Sequence, residues 1–462
     1  LFMSGKRSAE MTRARAGAGR NIRSAAGNED NTVTRRNGDR ENRRKGKSLF
    51  PVSPFPRFSG SQFSVPGFKA AGIACGIKKN GNKDLALIYS ESPAVAAAVF
   101  TTNKIKAAPV LLDIQRIKKG LCQAVIINSG NANACTGKKG MVAALKTASL
   151  LEKKIGIENG LAMVSSTGVI GEPLPIDKIE KGISTLNSQL STLNSAYGWG
   201  NAAEAIMTTD AFPKIVVEKG KVGDKEITIL GIAKGAGMIC PDMATMLAYI
   251  ATDATIERKT LQTALNKAVD KSLNSITVDG DTSTNDTVLI LANGKAGNRE
   301  VRSQESGVRS KDYKTFRNML ERVCLKLAHM IVRDGEGATK FLEIKVKGAR
   351  KQIDAKKVAM TVANSLLVKT AFFGEDANWG RIMAAIGRAG IDVKSDRISI
   401  YFDNIPVVKK GNGVGRDKEA SKIIKKRDIC LTIDLGLGKT EKTVWASDLS
   451  YDYVKINASY RS

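Results

Sequence analysis

The stretch with the most chemical potential is Lys234-Gly-Ala-Gly-Met-Ile-Cys-Pro-Asp-Met-Ala-Thr-Met-Leu247. Gly235 and Gly237 permit close backbone approach or positive φ, and Pro241 stiffens the chain before Ala244-Thr245 enters the apolar run from Met246 to Ile250. A strained, preset turn of this kind delivers a threonine hydroxyl to the start of a buried element. The same residue types also describe a glycine-rich turn in which Thr245 caps a helix. A second stretch, Ser165-Ser-Thr-Gly-Val-Ile-Gly171, reads as a glycine-bearing turn that could supply a hydroxyl and backbone N–H groups to an oxyanion. The polar stretches 128–133 and 279–286 are ligand loops or self-capped Asx turns. Acids in 333–338 and 374–380 fall at the ends of predicted helices.

Other chemistries are limited by what the chain lacks. Its one histidine, His329, sits on an apolar helical stripe, where packing is the ordinary role. Ser-His-Asp and Cys-His catalysis would rest on that residue alone, and an H-E-x-x-H zinc site would need two. An acyl transferase built on this chain therefore needs another base. The six cysteines, at 75, 122, 135, 240, 324 and 430, form no C-x-x-C pair, which argues against zinc or a disulfide framework, so no metal is expected. Gly438-Lys439-Thr440 resembles the end of a P-loop, but Ile433 stands where the first glycine must be.

Short apolar or alternating runs predict strands at 124–127, 215–217, 227–229, 288–291, 342–346 and 398–402, with a hairpin turning at 219–224. Helical spacing runs through Met141, Leu145, Ala148, Leu151 and Ile155 to a stop at Gly156, through Leu261, Leu265 and Ala268, and through Phe316, Leu320, Val323, Leu327 and Met330. Helices and strands alternate irregularly, so the expected fold class is α+β, with layered mixed sheets and helices rather than a doubly wound parallel sheet. Two polar islands, 295–312 and 409–428, are expected to be surface loops.

Taken in order, several stretches resemble the ornithine acetyltransferase family, the bifunctional glutamate N-acetyltransferases. They are Pro66-Gly-Phe-Lys-Ala-Ala-Gly, Val99-Phe-Thr-Thr-Asn103, Asn128-Ser-Gly-Asn-Ala-Asn133, Ser166-Thr-Gly-Val-Ile-Gly171, Ala205-Ile-Met-Thr-Thr-Asp210, the stretch 234–247, 374–381, and Tyr451-Asp-Tyr-Val-Lys-Ile-Asn457 through Ser462. The similarity spans 66–462. It implies a precursor that cleaves itself between Ala244 and Thr245 into an α chain, 66–244, and a β chain, 245–462, which assemble as two of each.

By the same resemblance, acetyl passes by a ping-pong route from N-acetylornithine to Thr245 and on to glutamate, with Thr167 and Gly168 stabilising the oxyanion. Thr208, Lys234, Thr245, Glu336, Asn457 and Ser462 match substrate-binding positions. A threonine assisted by its own α-amine needs no histidine, in keeping with the lone His329. No cofactor is implied, and acetyl-CoA stays open as a second acetyl donor. Asp242 departs from the family pattern, which has Asn there, and the two polar islands are longer than expected. The alternative in the same fold is a self-processing threonine aminopeptidase or amidohydrolase.

Charge raises one rival and one address. The 462 residues carry 73 Lys and Arg against 45 Asp and Glu, a net +28 that favours anionic partners. Aromatics are only 5% and no RNP, KH or zinc-finger pattern appears, so nucleic acid is not the expected partner. No apolar run is long enough to cross a membrane. Residues 1–65 form a basic leader rich in Gly, Ser, Ala and Asn that lacks the apolar residues to order itself. Its composition resembles a transit peptide, and the expected location is an organelle, a plastid ahead of a mitochondrion.

Overall fold

The computed structural model describes residues 63–190, 195–240, 246–303 and 308–459. Their strands are β1 (Phe68–Ile73), β2 (Leu85–Phe100), β3 (Leu121–Asn131), β4 (Ala162–Val169), β5 (Lys214–Val222), β6 (Lys225–Lys234), β7 (Leu247–Thr252), β8 (Ile276–Thr277), β9 (Thr287–Ala292), β10 (Phe341–Ala349), β11 (Ser399–Phe402), β12 (Ile405–Lys409), β13 (Asn412–Gly413), β14 (Asp428–Asp434) and β15 (Thr440–Ser447). The α-helices are α1 (Ala108–Arg116), α2 (Gly137–Ile155), α3 (Ile176–Leu190), α4 (Ser195–Ala205), α5 (Arg258–Lys271), α6 (Val308–Arg333), α7 (Gln352–Ala363), α8 (Leu366–Phe373), α9 (Trp379–Gly387), α10 (Asp417–Ile424) and α11 (Tyr451–Ala458).

Two mixed sheets organise these elements. The first runs β4-β3-β2-β9-β7-β6-β5, with β1 added to β2; β3–β4 and β7–β9 are parallel and its other pairs antiparallel. The second runs β13-β12-β11-β14-β10-β15-β8. The layered α+β expectation is therefore met, and the hairpin predicted at 219–224 joins β5 to β6 with Val222 opposite Lys225.

Period-two burial explains why the first sheet carries helices on both faces. Leu85 and Leu87 of β2 and Ala124 and Ile126 of β3 pack with α1, α2 and α3, while Ala86, Ile88, Val125 and Ile127 face the opposite core with Trp199 of α4. In β7 and β9, Ala248, Ile250, Val288 and Ile290 turn to α5 and α6, and Leu247, Tyr249, Leu289 and Leu291 turn away. The apolar stripe read at Phe316, Leu320, Val323 and Leu327 is the buried face of α6. Helix α6 also meets β15 of the second sheet, whose own core is closed by α7, α9 and α10. Phe63 and Val65 already pack into this body, ahead of the Pro66 start read from the sequence.

The buried element expected after Thr245 is strand β7, which lies between β6 and β9 with both faces buried, so the helix-cap alternative falls away. Two expectations need correction. The stretch from Ser165 is the end of strand β4 rather than a turn, and its glycine serves close approach to β3. The polar islands are not wholly loops. Val301 is buried and bridges Ile256, α6 begins at Val308, and the second island carries β13 and α10, whose Ala420 and Ile424 lie four residues apart on one buried face.

Candidate active site

The site is assembled where the ends of β4 and β6 meet the loop after α6, the loop preceding β9 and helix α11. Thr167 and Gly168 close β4, where Asn131 of β3 pairs with both Thr167 and Val169 across a register irregularity. Gly168 has φ +131°, and a Cβ there would lie 2.4 Å from the Gly130 carbonyl carbon, so the strands could not approach this closely with any other residue. Side chains lock the pairing: Ser166 donates to Asn128 at 2.6 Å, Asn128 donates to the Asn131 carbonyl at 2.8 Å, and Asn285 donates to the carbonyls of Ala132 at 2.7 Å and Ser166 at 2.8 Å.

Lys234 ends β6, is only 3% exposed, and donates from Nζ to Thr167 Oγ1 at 3.3 Å. Burial draws its ammonium below the ordinary lysine range, although Asp210, Asp286 and Glu336 pull the other way. Asp210 ties neighbouring loops together, accepting from Thr208 N at 2.9 Å, Gly235 N at 2.6 Å and Lys214 Nζ at 2.7 Å. Lys214 is fully buried and also reaches Asp334 at 2.5 Å. Burial opposes charge on Asp210, but Lys214 and Lys234 outweigh it and hold that carboxyl well below the usual range. In Asp334 burial prevails over Lys214, and the carboxyl rises to about 6.

Glu336 follows α6 and accepts from Asn457 Nδ2 of α11 at 2.7 Å. Gly237 backs it closely, since a Cβ at that position would be 2.5 Å from the carboxyl carbon. Helix α11 has no buried residue of its own. It is held by Ser450 Oγ donating to the Gly337 carbonyl at 2.6 Å, by Tyr453 donating to Asp279 at 3.4 Å, and by Asn457.

A cavity of about 260 Å³ opens between these groups, lined by Thr167, Gly168, Thr208, Lys234, Glu336 and Asn457 together with residues of the 283–285 loop. Six residues singled out from the sequence thus share one space, although they come from positions 290 residues apart. Ala244, Thr245 and Ser462 lie outside the described residues, as do residues 1–62 of the leader. The residue after Thr245 is placed: Met246 donates its N–H to Asp286 Oδ1 at 2.9 Å, and Leu247 pairs with Lys234.

His329 does not line the cavity. Its ring packs against Phe341 at 5.2 Å and Trp445 at 4.8 Å, and burial together with Arg333 lowers it to about 4, the behaviour of a packed neutral imidazole. Sequence reasoning missed Asp210, Asn285 and Asp286 as site-building groups. All three sat inside quoted motifs, but isolated Asx residues there are indistinguishable from turn formers until the partner strand is known.

Against this geometry stand the similarities to known proteins. The ArgJ family model matches residues 69–462. The chain belongs to the ArgJ family. It is similar to the Arginine biosynthesis bifunctional protein ArgJ of Geobacter sulfurreducens, 52% identical over 401 residues that cover 86% of this chain and 100% of that protein. The mitochondrial ArgJ of Dictyostelium discoideum is 45% identical over 421 residues, 86% of this chain and 93% of the relative. A crystal structure of ArgJ from Bacillus halodurans shares 40% identity, covering 46% of this chain and 98% of that one, with a TM-score of 0.44. These relatives correct the plastid expectation: the matched proteins include ArgJ of Geobacter, Syntrophotalea and Symbiobacterium, all bacterial, and the organelle named among them is the mitochondrion of Dictyostelium.

Proposed function

We propose that this ArgJ-family enzyme moves an acetyl group from N-acetylornithine to glutamate, releasing ornithine and N-acetylglutamate, through an acetyl ester on Thr245. The observation that carries this reading is the single cavity in which a Thr-Gly pair, a buried lysine and a Glu-Asn pair converge, with Lys234 on its wall paired to Leu247 just beyond Thr245. The relatives' name, a bifunctional protein of arginine biosynthesis, accords with it.

The nucleophile is first released by self-cleavage. The Thr245 hydroxyl attacks the Ala244 carbonyl, the Thr245 nitrogen leaves with a proton, and water hydrolyses the resulting ester to free the α chain (66–244) from the β chain (245–462). The new α-amine then takes the hydroxyl proton during acyl transfer, so no histidine is needed. The Thr167 hydroxyl and Gly168 N–H hold the negative charge of each tetrahedral intermediate, where fixed donors in a poorly hydrated cavity act most strongly. Thr208, Lys234, Glu336, Asn457 and Ser462 bind the amino-acid substrate; Glu336, oriented by Asn457, suits an ammonium group. The same ester can be charged by acetyl-CoA, and the α and β chains stay associated as two of each.

Intact mass measurement of the purified protein tests the nucleophile directly. A fragment beginning at Thr245 is expected, absent in Thr245→Ala and present in reduced yield in Thr245→Ser. Labelled acetyl should pass from N-acetylornithine to glutamate only with cleaved protein. A fully cleaved, active Thr245→Ala enzyme would refute the assignment.

A further inference from the structure

The carboxyl of Asp286 has no place in the reading above, yet among the described residues it makes the side-chain contact nearest in sequence to the nucleophile. It precedes β9 and is completely buried. Its Oδ1 accepts the Met246 N–H at 2.9 Å, while Oδ2, equally buried, has no hydrogen-bond partner among the described residues. The following residue completes the grip, since Thr287 N donates to the Met246 carbonyl at 3.3 Å. Both backbone polar groups of Met246, the residue beyond Thr245, are therefore held from one short segment. The Asp286 carbonyl is itself held by Thr101 N at 3.0 Å.

A buried carboxylate that spends one oxygen on a neutral amide and leaves the other bare would carry an uncompensated charge, which a protein interior tolerates poorly. Lys234 faces it without forming an ion pair, and the hydroxyls of Thr101 and Ser283 lie beside it. Burial outweighs the Met246 bond, the Lys234 charge and the Thr101 and Ser283 hydroxyls, and the carboxyl stays well above the ordinary range. We propose that Asp286 is a positioning residue for Thr245, gripping Met246 through Oδ1 as a hydrogen-bond acceptor that needs no charge. This rests on Thr245 being the nucleophile. Asp286 does not line the substrate cavity, so its effect should fall on the approach of the hydroxyl and not on substrate affinity.

The test compares Asp286→Asn with Asp286→Ala in the full-length chain, following the processing rate by intact mass and the kcat and KM of the cleaved fraction. Asn keeps a neutral acceptor of the same shape, and its rates should stay within about threefold of the parent. Ala removes the acceptor, and a nucleophile displaced by a fraction of an ångström to an ångström should cost on the order of 10²-fold in processing and kcat at nearly constant KM. A purely structural role would instead lower the folded yield and leave the kcat of the cleaved fraction alone. Should the alanine variant fail to fold, Asp286→Leu, with the same number of side-chain heavy atoms and no acceptor, replaces it. Equal loss in Asn and Ala would show that a charged carboxylate is required and overturn the proposal, as would normal kcat in Ala. Absence of Thr245-initiated fragments from the unsubstituted protein would instead refute the nucleophile reading on which it stands.

Discussion

Replacing Thr167 by Ala isolates the proposed oxyanion site. The Thr167 side chain is 4% exposed and faces the cavity, and its oxygen accepts from Lys234 Nζ at 3.3 Å. A hydroxyl has one proton and two lone pairs, so the lysine occupies an acceptor position and leaves the proton free for an oxyanion. Loss of one such donor typically costs ~10²–10³ in kcat, about 2.7–4 kcal/mol, because the charge exists mainly in the transition state. KM for N-acetylornithine should hardly move, since the ground-state carbonyl gains little from that donor. The substitution also removes a hydrogen bond to a charged group, worth about 1.5–3 kcal/mol of stability. Steady-state kinetics normalised to the folded, cleaved chain separates the two effects, and Thr167→Ser should recover much of the rate. A helix-capping role is already incompatible with its position in β4. An unchanged kcat in folded, cleaved Thr167→Ala would remove Thr167 from the mechanism.

Other perturbations follow from the same geometry. Gly168→Ala sets a Cβ 2.4 Å from the Gly130 carbonyl carbon, so β3 and β4 must separate; loss of transfer activity is expected even where circular dichroism shows a folded chain, and normal activity would contradict the strand geometry. His329→Gln should leave kcat within about tenfold, a barrier change near 1.4 kcal/mol. The His329 imidazole sits near 4 in the folded chain against 6.5 unfolded, so below pH 6.5 the unfolded state gains a proton that the folded state refuses. Stability is therefore lost as pH falls from 6.5 towards 4, by about 2 kcal/mol after allowance for partial exposure, and urea unfolding of His329→Gln should lack that component. Lys214→Met leaves Asp210 and Asp334 buried without their shared cation and should cost about 3–5 kcal/mol in urea unfolding; a loss under about 1 kcal/mol would mean that the triad is not a structural hub.

Residue types and their order were enough to exclude histidine and P-loop chemistry, to place helices α2, α5 and α6 and several strands though not β2, α3 or α7, and to gather the Thr-Gly, lysine, glutamate and asparagine positions through an ordered series of motifs. Local information suffices there because apolar periodicity records which face is buried, and because a family's motifs recur in sequence order. One local signal misled and another left two readings open. The stretch from Ser165 looks like a turn because glycine usually supplies positive φ to a bend, whereas Gly168 is required by the backbone of β3, remote in sequence. The run after Thr245 is compatible with a capped helix until β6 and β9 are seen on either side of it.

What only the tertiary structure decided is the environment of each polar group. Asp210, Asp286 and Asp334 are the same residue type, yet two cations hold Asp210 down, burial drives Asp334 up to about 6, and burial raises Asp286, whose Oδ1 accepts the Met246 N–H. That difference arises because burial and charge act through space over a few ångströms. Apart from Lys214 beside Asp210, four residues away, the groups that supply them reach those carboxyls through strand pairings and loop closures that no local sequence pattern contains.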